Sequence, residues 1–181
     1  MPFRLPVSIG GMLIVTLLLA SPAYPQANSN AAGVNLNAIL DNRLTVVAGP
    51  GLVNFVLLPS GISNGSTPVT VRTIWQLPQL LGIVTTYAYF SSAPAALTSG
   101  AGNLIPSARV SASINGGAFQ AFTANSPFAA GSSIRVRRTF IIFFNRSGST
   151  SDTLNLRIDT TGLGLPPGFY TGVMNVQAVA I

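Results

Sequence analysis

Apolar and polar residues alternate in twos along much of this chain. In residues 69–77, Val69, Val71, Thr73, Trp75 and Leu77 share one face, with Thr70, Arg72, Ile74 and Gln76 on the other. Residues 108–114 repeat the pattern with Ala108, Val110, Ala112 and Ile114 against Arg109, Ser111 and Ser113. Leu154, Leu156 and Ile158 alternate with Thr153, Asn155, Arg157 and Asp159, and the even positions of residues 170–180 form an apolar face beside Thr171, Asn175 and Gln177. A period of two is the mark of a half-buried antiparallel strand. Less regular runs predict further strands at residues 43–48, 53–58, 83–90, 118–123 and 134–145. With no helical period between them, the runs predict an all-β chain: one antiparallel β-sandwich of about eight or nine strands.

Turn residues punctuate the runs. Asn115-Gly116-Gly117 supplies the positive φ angles of a tight hairpin, so residues 108–114 should fold back on residues 118–123. Ser147-Gly148-Ser149 predicts the next reversal, and residues 91–103, rich in Ala, Ser and Gly, predict the longest loop.

The first residues read as an export signal. Arg4 precedes an apolar run over residues 9–20, and Ser21-Pro22-Ala23 offers a small-x-small cleavage pattern. The run falls short of the ~20 residues that span a bilayer. The expected organisation is a signal peptide over 1–27, cleaved after Ala23 or Ala27, an N-terminal extension over 28–42 and a sandwich domain over 43–181. The mature chain is therefore expected to be secreted, periplasmic or on the cell surface, with no transmembrane helix.

Composition narrows the chemistry. Histidine, cysteine, glutamate and lysine are absent, which removes most general bases and the imidazole and thiolate metal ligands. No serine sits in a G-x-S-x-G elbow. The carboxylates are Asp41, Asp152 and Asp159, and the last two lie on opposite faces of one strand, ~23 Å apart along it. No catalytic residue, metal site or cofactor is expected. The formal charge of +6 falls to +5 once Arg4 leaves with the leader, too thin for a nucleic-acid interface.

Three groups remain as candidate binding features. Arg135, Arg137 and Arg138 form the densest charge and could contact an anionic surface, with Arg135 and Arg137 expected on one face and Arg138 on the other. The alternative is a solvated strand end ahead of a buried run over residues 140–144. Tyr87 and Tyr89 share a strand face and could stack on a glycan, or pair across strands. Val34, Leu36, Ala38 and Leu40 alternate like a donor strand able to extend a neighbour's open sheet, or could pair within their own domain or form a local turn.

The stretches Leu154-Asn155-Leu156-Arg157-Ile158-Asp159, Leu165-Pro166-Pro167-Gly168-Phe169-Tyr170-Thr171-Gly172 and Val176-Gln177-Ala178 resemble the closing strands of bacterial Ig-like surface modules, fimbrial and spore-coat-U-like domains among them. The resemblance covers about the last thirty residues and implies an Ig-like sandwich with a tyrosine corner at Tyr170. The expected function is a non-catalytic structural or adhesive surface protein, self-associating by strand addition or meeting other surface proteins. Alternatives are a glycan- or anionic-surface-binding module and a small outer-membrane β-barrel.

Overall fold

The computed structural model describes residues 43–78 and 81–181. The leader, the N-terminal extension and the candidate donor residues Val34, Leu36, Ala38 and Leu40 lie outside them, as does Asp41. Among the described residues the alternation becomes twelve strands and a single 3₁₀ turn at Ser107–Arg109, with no α-helix. No helix among them is long and apolar enough to cross a membrane.

The strands are β1 (Arg43–Gly49), β2 (Ile62–Asn64), β3 (Val69–Gln76), β4 (Gly82–Phe90), β5 (Leu97–Ser99), β6 (Leu104–Ile105), β7 (Val110–Ile114), β8 (Phe119–Ala121), β9 (Ser133–Ile141), β10 (Ser147–Asp159), β11 (Tyr170–Thr171) and β12 (Met174–Ala180). One sheet runs β1-β3-β10-β7-β8, with β2 joined to β10 beyond the end of β3. The second is β12-β4-β9, and all pairings are antiparallel. Their inner faces bury Val69, Val71, Ala112, Leu154 and Ile158 against Ala88, Phe90, Ile134 and Val136, the packing of a β-sandwich. A small third sheet, β11-β5-β6, adds Ile105 to the same core and packs Leu97 and Tyr170 against it. The sheets keep free edges and do not close into a barrel.

The strand count exceeds the expectation because β2, β5, β6 and β11 are two or three residues each, too short for alternation to register. Four local expectations are corrected. Residues 147–149 are not a turn but the start of β10, and Gly148 sits opposite Trp75 because a Cβ there would lie 2.8 Å from the indole Cζ2. Its glycine serves a close approach, which in sequence looks like a turn. Residues 53–58 form no strand: they make the isolated bridge of Phe55 to Gly65, beside which Ser66 N–H donates to Asn54 O at 2.8 Å, while Gly65 N–H donates to Leu156 O on β10. Residues 170–180 split between two sheets at Gly172, where a Cβ would meet the Ala96 carbonyl. Within residues 91–103, the predicted loop, Leu97–Ser99 pairs with both β6 and β11. The Asn115 hairpin forms as expected, with φ of 50° at Asn115 and 77° at Gly116 and Gly117 N–H donating to Ile114 O at 2.9 Å.

Candidate functional site

Two edges of the sandwich come together on one side. β1 ends the large sheet, bonded to β3 alone, and β12 ends the smaller one, bonded to β4 alone among the described residues. The two strands run close to each other and share no hydrogen-bond ladder. Along this seam Leu44 and Val46 of β1 and Met174, Val176, Ala178 and Ala180 of β12 are half-buried: they pack against the core but are not sealed from water. Unpaired N–H and C=O groups above half-covered apolar side chains make an edge that an added strand can complete.

The arginine cluster is divided by a β-bulge. The β4–β9 register pairs Thr86 with Arg137 and Tyr87 with Arg135, leaving Val136 as the extra residue. The extra residue reverses the alternation, so Arg137 turns inward while Arg135 and Arg138 face water. That corrects the expectation that Arg135 and Arg137 share a face. Arg137 reaches across to the other sheet: its Nε donates to both Asp152 oxygens at 2.7 and 2.9 Å, and its Nη2 to Asp152 Oδ1. Asp152 also accepts from Asn115 Nδ2 at 2.7 Å, and its side chain is 1% exposed. The hydrogen bonds it donates to Asp152 hold the Arg137 guanidinium above its ordinary pKa, against the opposing pull of burial. Arg137 thus ties the sheets together, leaving Arg135 and Arg138 as the outward cations of the cluster.

Tyr87 and Tyr89 are less open than an exposed stacking platform. Phe128 lies over both, edge-on to Tyr87 at 6.1 Å and stacked on Tyr89 at 5.7 Å, and the Tyr89 hydroxyl donates to Gln177 Oε1 at 3.0 Å. The fold does bring Tyr87 and Arg135 together as cross-strand partners. They line a groove of about 480 Å³ that also receives Gln120 and Asn125. Aromatic edge, guanidinium and amides there offer the mixed contacts a sugar hydroxyl or an acidic group uses.

Tyr170 donates its hydroxyl to Pro166 O at 2.9 Å, clamping the Pro-Pro-Gly turn ahead of β11. The remaining described carboxylate, Asp159, stands in water with Arg109 at 3.7 Å. The Thr161 side chain, then its backbone N–H at 2.9 Å, hold that carboxyl below its ordinary pKa. No group of three or more metal-ligating side chains gathers among the described residues.

No alternating pattern announces a second apolar feature, a run of large exposed side chains. The run over residues 140–144, read in sequence as buried, puts only Ile141 in the core; Phe140, Ile142, Phe143 and Phe144 all face water. β9 stops at Ile141, and residues 142–145 turn back into β10. The usable signal was Asn145-Arg146 directly after an apolar run that does not alternate. No protein-family model matches the chain, and no curated protein matches it in sequence.

Proposed function

We propose that this protein is an exported, non-catalytic structural subunit of the cell surface that assembles by strand addition. Residues 34–40 of one copy add to the β12 edge of the next. The β1–β12 seam carries this reading: two edge strands of different sheets lie side by side with half-buried apolar residues between them. Val34, Leu36, Ala38 and Leu40 supply an apolar face with the strand period of two. As a strand, this seven-residue segment would span ~23 Å, matching the seven residues of β12. An export leader, absent histidine, cysteine, glutamate and lysine, and low surface charge favour the same reading, as does the resemblance to Ig-like surface modules.

Deleting residues 34–40 should abolish oligomers in size-exclusion chromatography while the β-type circular dichroism persists. A synthetic 34–40 peptide should then bind the deleted chain as a single complement. Oligomers that survive the deletion would end the proposal. A second reading, capture of an acidic glycan, is favoured by the Tyr87–Arg135 groove. Glycan-array binding that disappears in Arg135→Ala supports it, and an array with no signal removes it.

A further inference from the structure

The β9–β10 connection carries features that folding does not require. Phe140, Ile142, Phe143 and Phe144 are exposed to 61, 47, 62 and 89%, so four large apolar side chains add little to either core cluster. Asn145 closes the turn. Its N–H donates to Ile142 O at 3.0 Å, its Oδ1 accepts from Ile142 N–H at 2.6 Å, and its Nδ2 donates to Phe140 O at 2.8 Å. One residue supplies the hydrogen bonds, so the two tip positions need no turn-forming residue; Gly, Asn or Asp would be the ordinary occupants. Both are phenylalanine, and their rings meet edge to face at 5.3 Å. Below the tip, Trp75 Nε1 donates to Asn145 O at 2.8 Å from a buried position, which fixes the base of the finger.

Charge accompanies the rings. Arg138 lies over Phe140 at 4.9 Å from the ring centroid, and Arg146 over Phe143 at 5.9 Å. Leu81 and Ile181, exposed to 77 and 75%, join the same end because Gly82 pairs with Ile141 and Ile83 exchanges both backbone hydrogen bonds with Ile181. Neither arginine has a carboxylate partner among the described residues. Asp152 is buried with Arg137, and Asp159 closes the far end of the thirteen-residue β10, roughly 40 Å away.

An acidic protein would satisfy the guanidinium groups and leave the rings in contact with a hydrated surface. A second copy placed tip to tip would cover the rings and bring like charges together. An anionic lipid surface accepts both: aromatic and aliphatic tips enter the interface while guanidinium groups pair with phosphates. We propose that the finger formed by residues 140–146 docks the protein onto an anionic phospholipid surface, with Phe143 and Phe144 inserted and Arg138 and Arg146 on the headgroups.

The test is co-sedimentation of the exported form of the chain with phosphatidylcholine vesicles, with and without phosphatidylglycerol. Binding should require the anionic lipid and weaken as salt rises. The double variant Phe143→Ser with Phe144→Ser, which leaves Asn145 and the turn intact, should lose roughly ten- to a hundredfold in partitioning. Arg138→Gln and Arg146→Gln should each lose roughly fivefold. An unchanged circular dichroism spectrum separates lost docking from lost folding. Equal binding to neutral vesicles, unaltered binding by the phenylalanine variant, or no binding to either vesicle would overturn the proposal. So would retention on an acidic polymer column without vesicle binding, or tip-dependent dimers without it.

Discussion

The interior of the sandwich is two cores, and they are built differently. The larger buries Phe90 against Phe122 edge to face at 4.9 Å, together with valines, isoleucines and leucines from both main sheets. Val53, Phe55, Leu57, Leu163, Leu165 and Tyr170 cover its margins. Among the described residues the smaller buries Trp75, Val84 and Ile141, lined by Leu44, Leu77, Ala178 and Ala180, and the exposed aromatic finger joins it through Ile141 and the Trp75–Asn145 hydrogen bond. Polar groups separate them: Thr73 and Thr86 share a 2.8 Å hydrogen bond across the sheets, and Arg137 reaches Asp152 beside them. One half is held by area removed from water. The other is held by directed contacts, chiefly the Trp75–Asn145 hydrogen bond and the close fit of Gly148 under the indole. A finger that works in the open needs to be aimed, and directed contacts aim it with little apolar cover.

The largest effect should come from the first core. Phe122 is fully buried, and Phe122→Ala removes a ring at the centre of the packing, so urea unfolding should show a loss of about 3–5 kcal/mol. A loss below about 1 kcal/mol would mean that the large cluster does not dominate stability. Next in size is the boundary between the cores. Asp152→Ala leaves Arg137 and Asn115 Nδ2 without their acceptor. Arg137 keeps partial contact with water, so the cost falls below that of a sealed pair, at about 2 kcal/mol. Pairing Asp152→Leu with Arg137→Met should recover most of it, because a packed apolar pair carries no desolvation cost. No recovery would show that the ion pair fixes the relation of the sheets in a way bulk cannot replace.

The third prediction concerns the smaller core. Gly148→Ala places a Cβ 2.8 Å from Trp75 Cζ2, so the indole must shift and its bond to Asn145 O must lengthen. The expected cost is about 1–3 kcal/mol. Hydrogen exchange at Asn145 and Ile142 should quicken while Val110 and Leu156 in the large core keep their protection. Uniform loss of protection would mean that the two cores unfold as one and that the finger has no separate support.

Sequence alternation anticipated the strands that have one wet face. Along β3, Val69, Val71, Thr73 and Trp75 are buried and Thr70, Arg72 and Gln76 are exposed, as their spacing predicts. It failed wherever a residue's role is set by a partner far along the chain. Gly148 answers to Trp75, Gly172 to Ala96, and the inward turn of Arg137 to a bulge facing Thr86 and to Asp152 on another sheet. Of the candidate contacts, Tyr87 and Arg135 do meet in one groove, but only β4–β9 pairing reveals it. For the finger, hydrophobicity alone predicts burial, and the structure exposes it. Phe140, Ile142, Phe143 and Phe144 lack the alternation that marked the true core strands. In this chain, an apolar run without a period that ends at a residue able to close a turn is exposed and not core.

The smallest effect has the opposite sign. Thr150 faces Thr73 in the β3–β10 register, within the polar boundary, and its hydroxyl is buried without a hydrogen-bond partner. Thr73 bonds to Thr86, and the Thr150 hydroxyl has no partner among the described residues. An unmatched buried hydroxyl carries its desolvation cost with no return, while valine keeps the β-branched shape that suits a strand. Thr150→Val should therefore stabilise the protein by about 1 kcal/mol in urea unfolding, at unchanged denaturant slope. Combined with Asp152→Ala, the gain should persist if Thr150 stands apart from the ion pair, and vanish if the hydroxyl becomes a substitute partner for the stranded Arg137. Either result locates where the directed half of the interior begins, because it reports whether the boundary between the cores is one connected network or two neighbouring bonds.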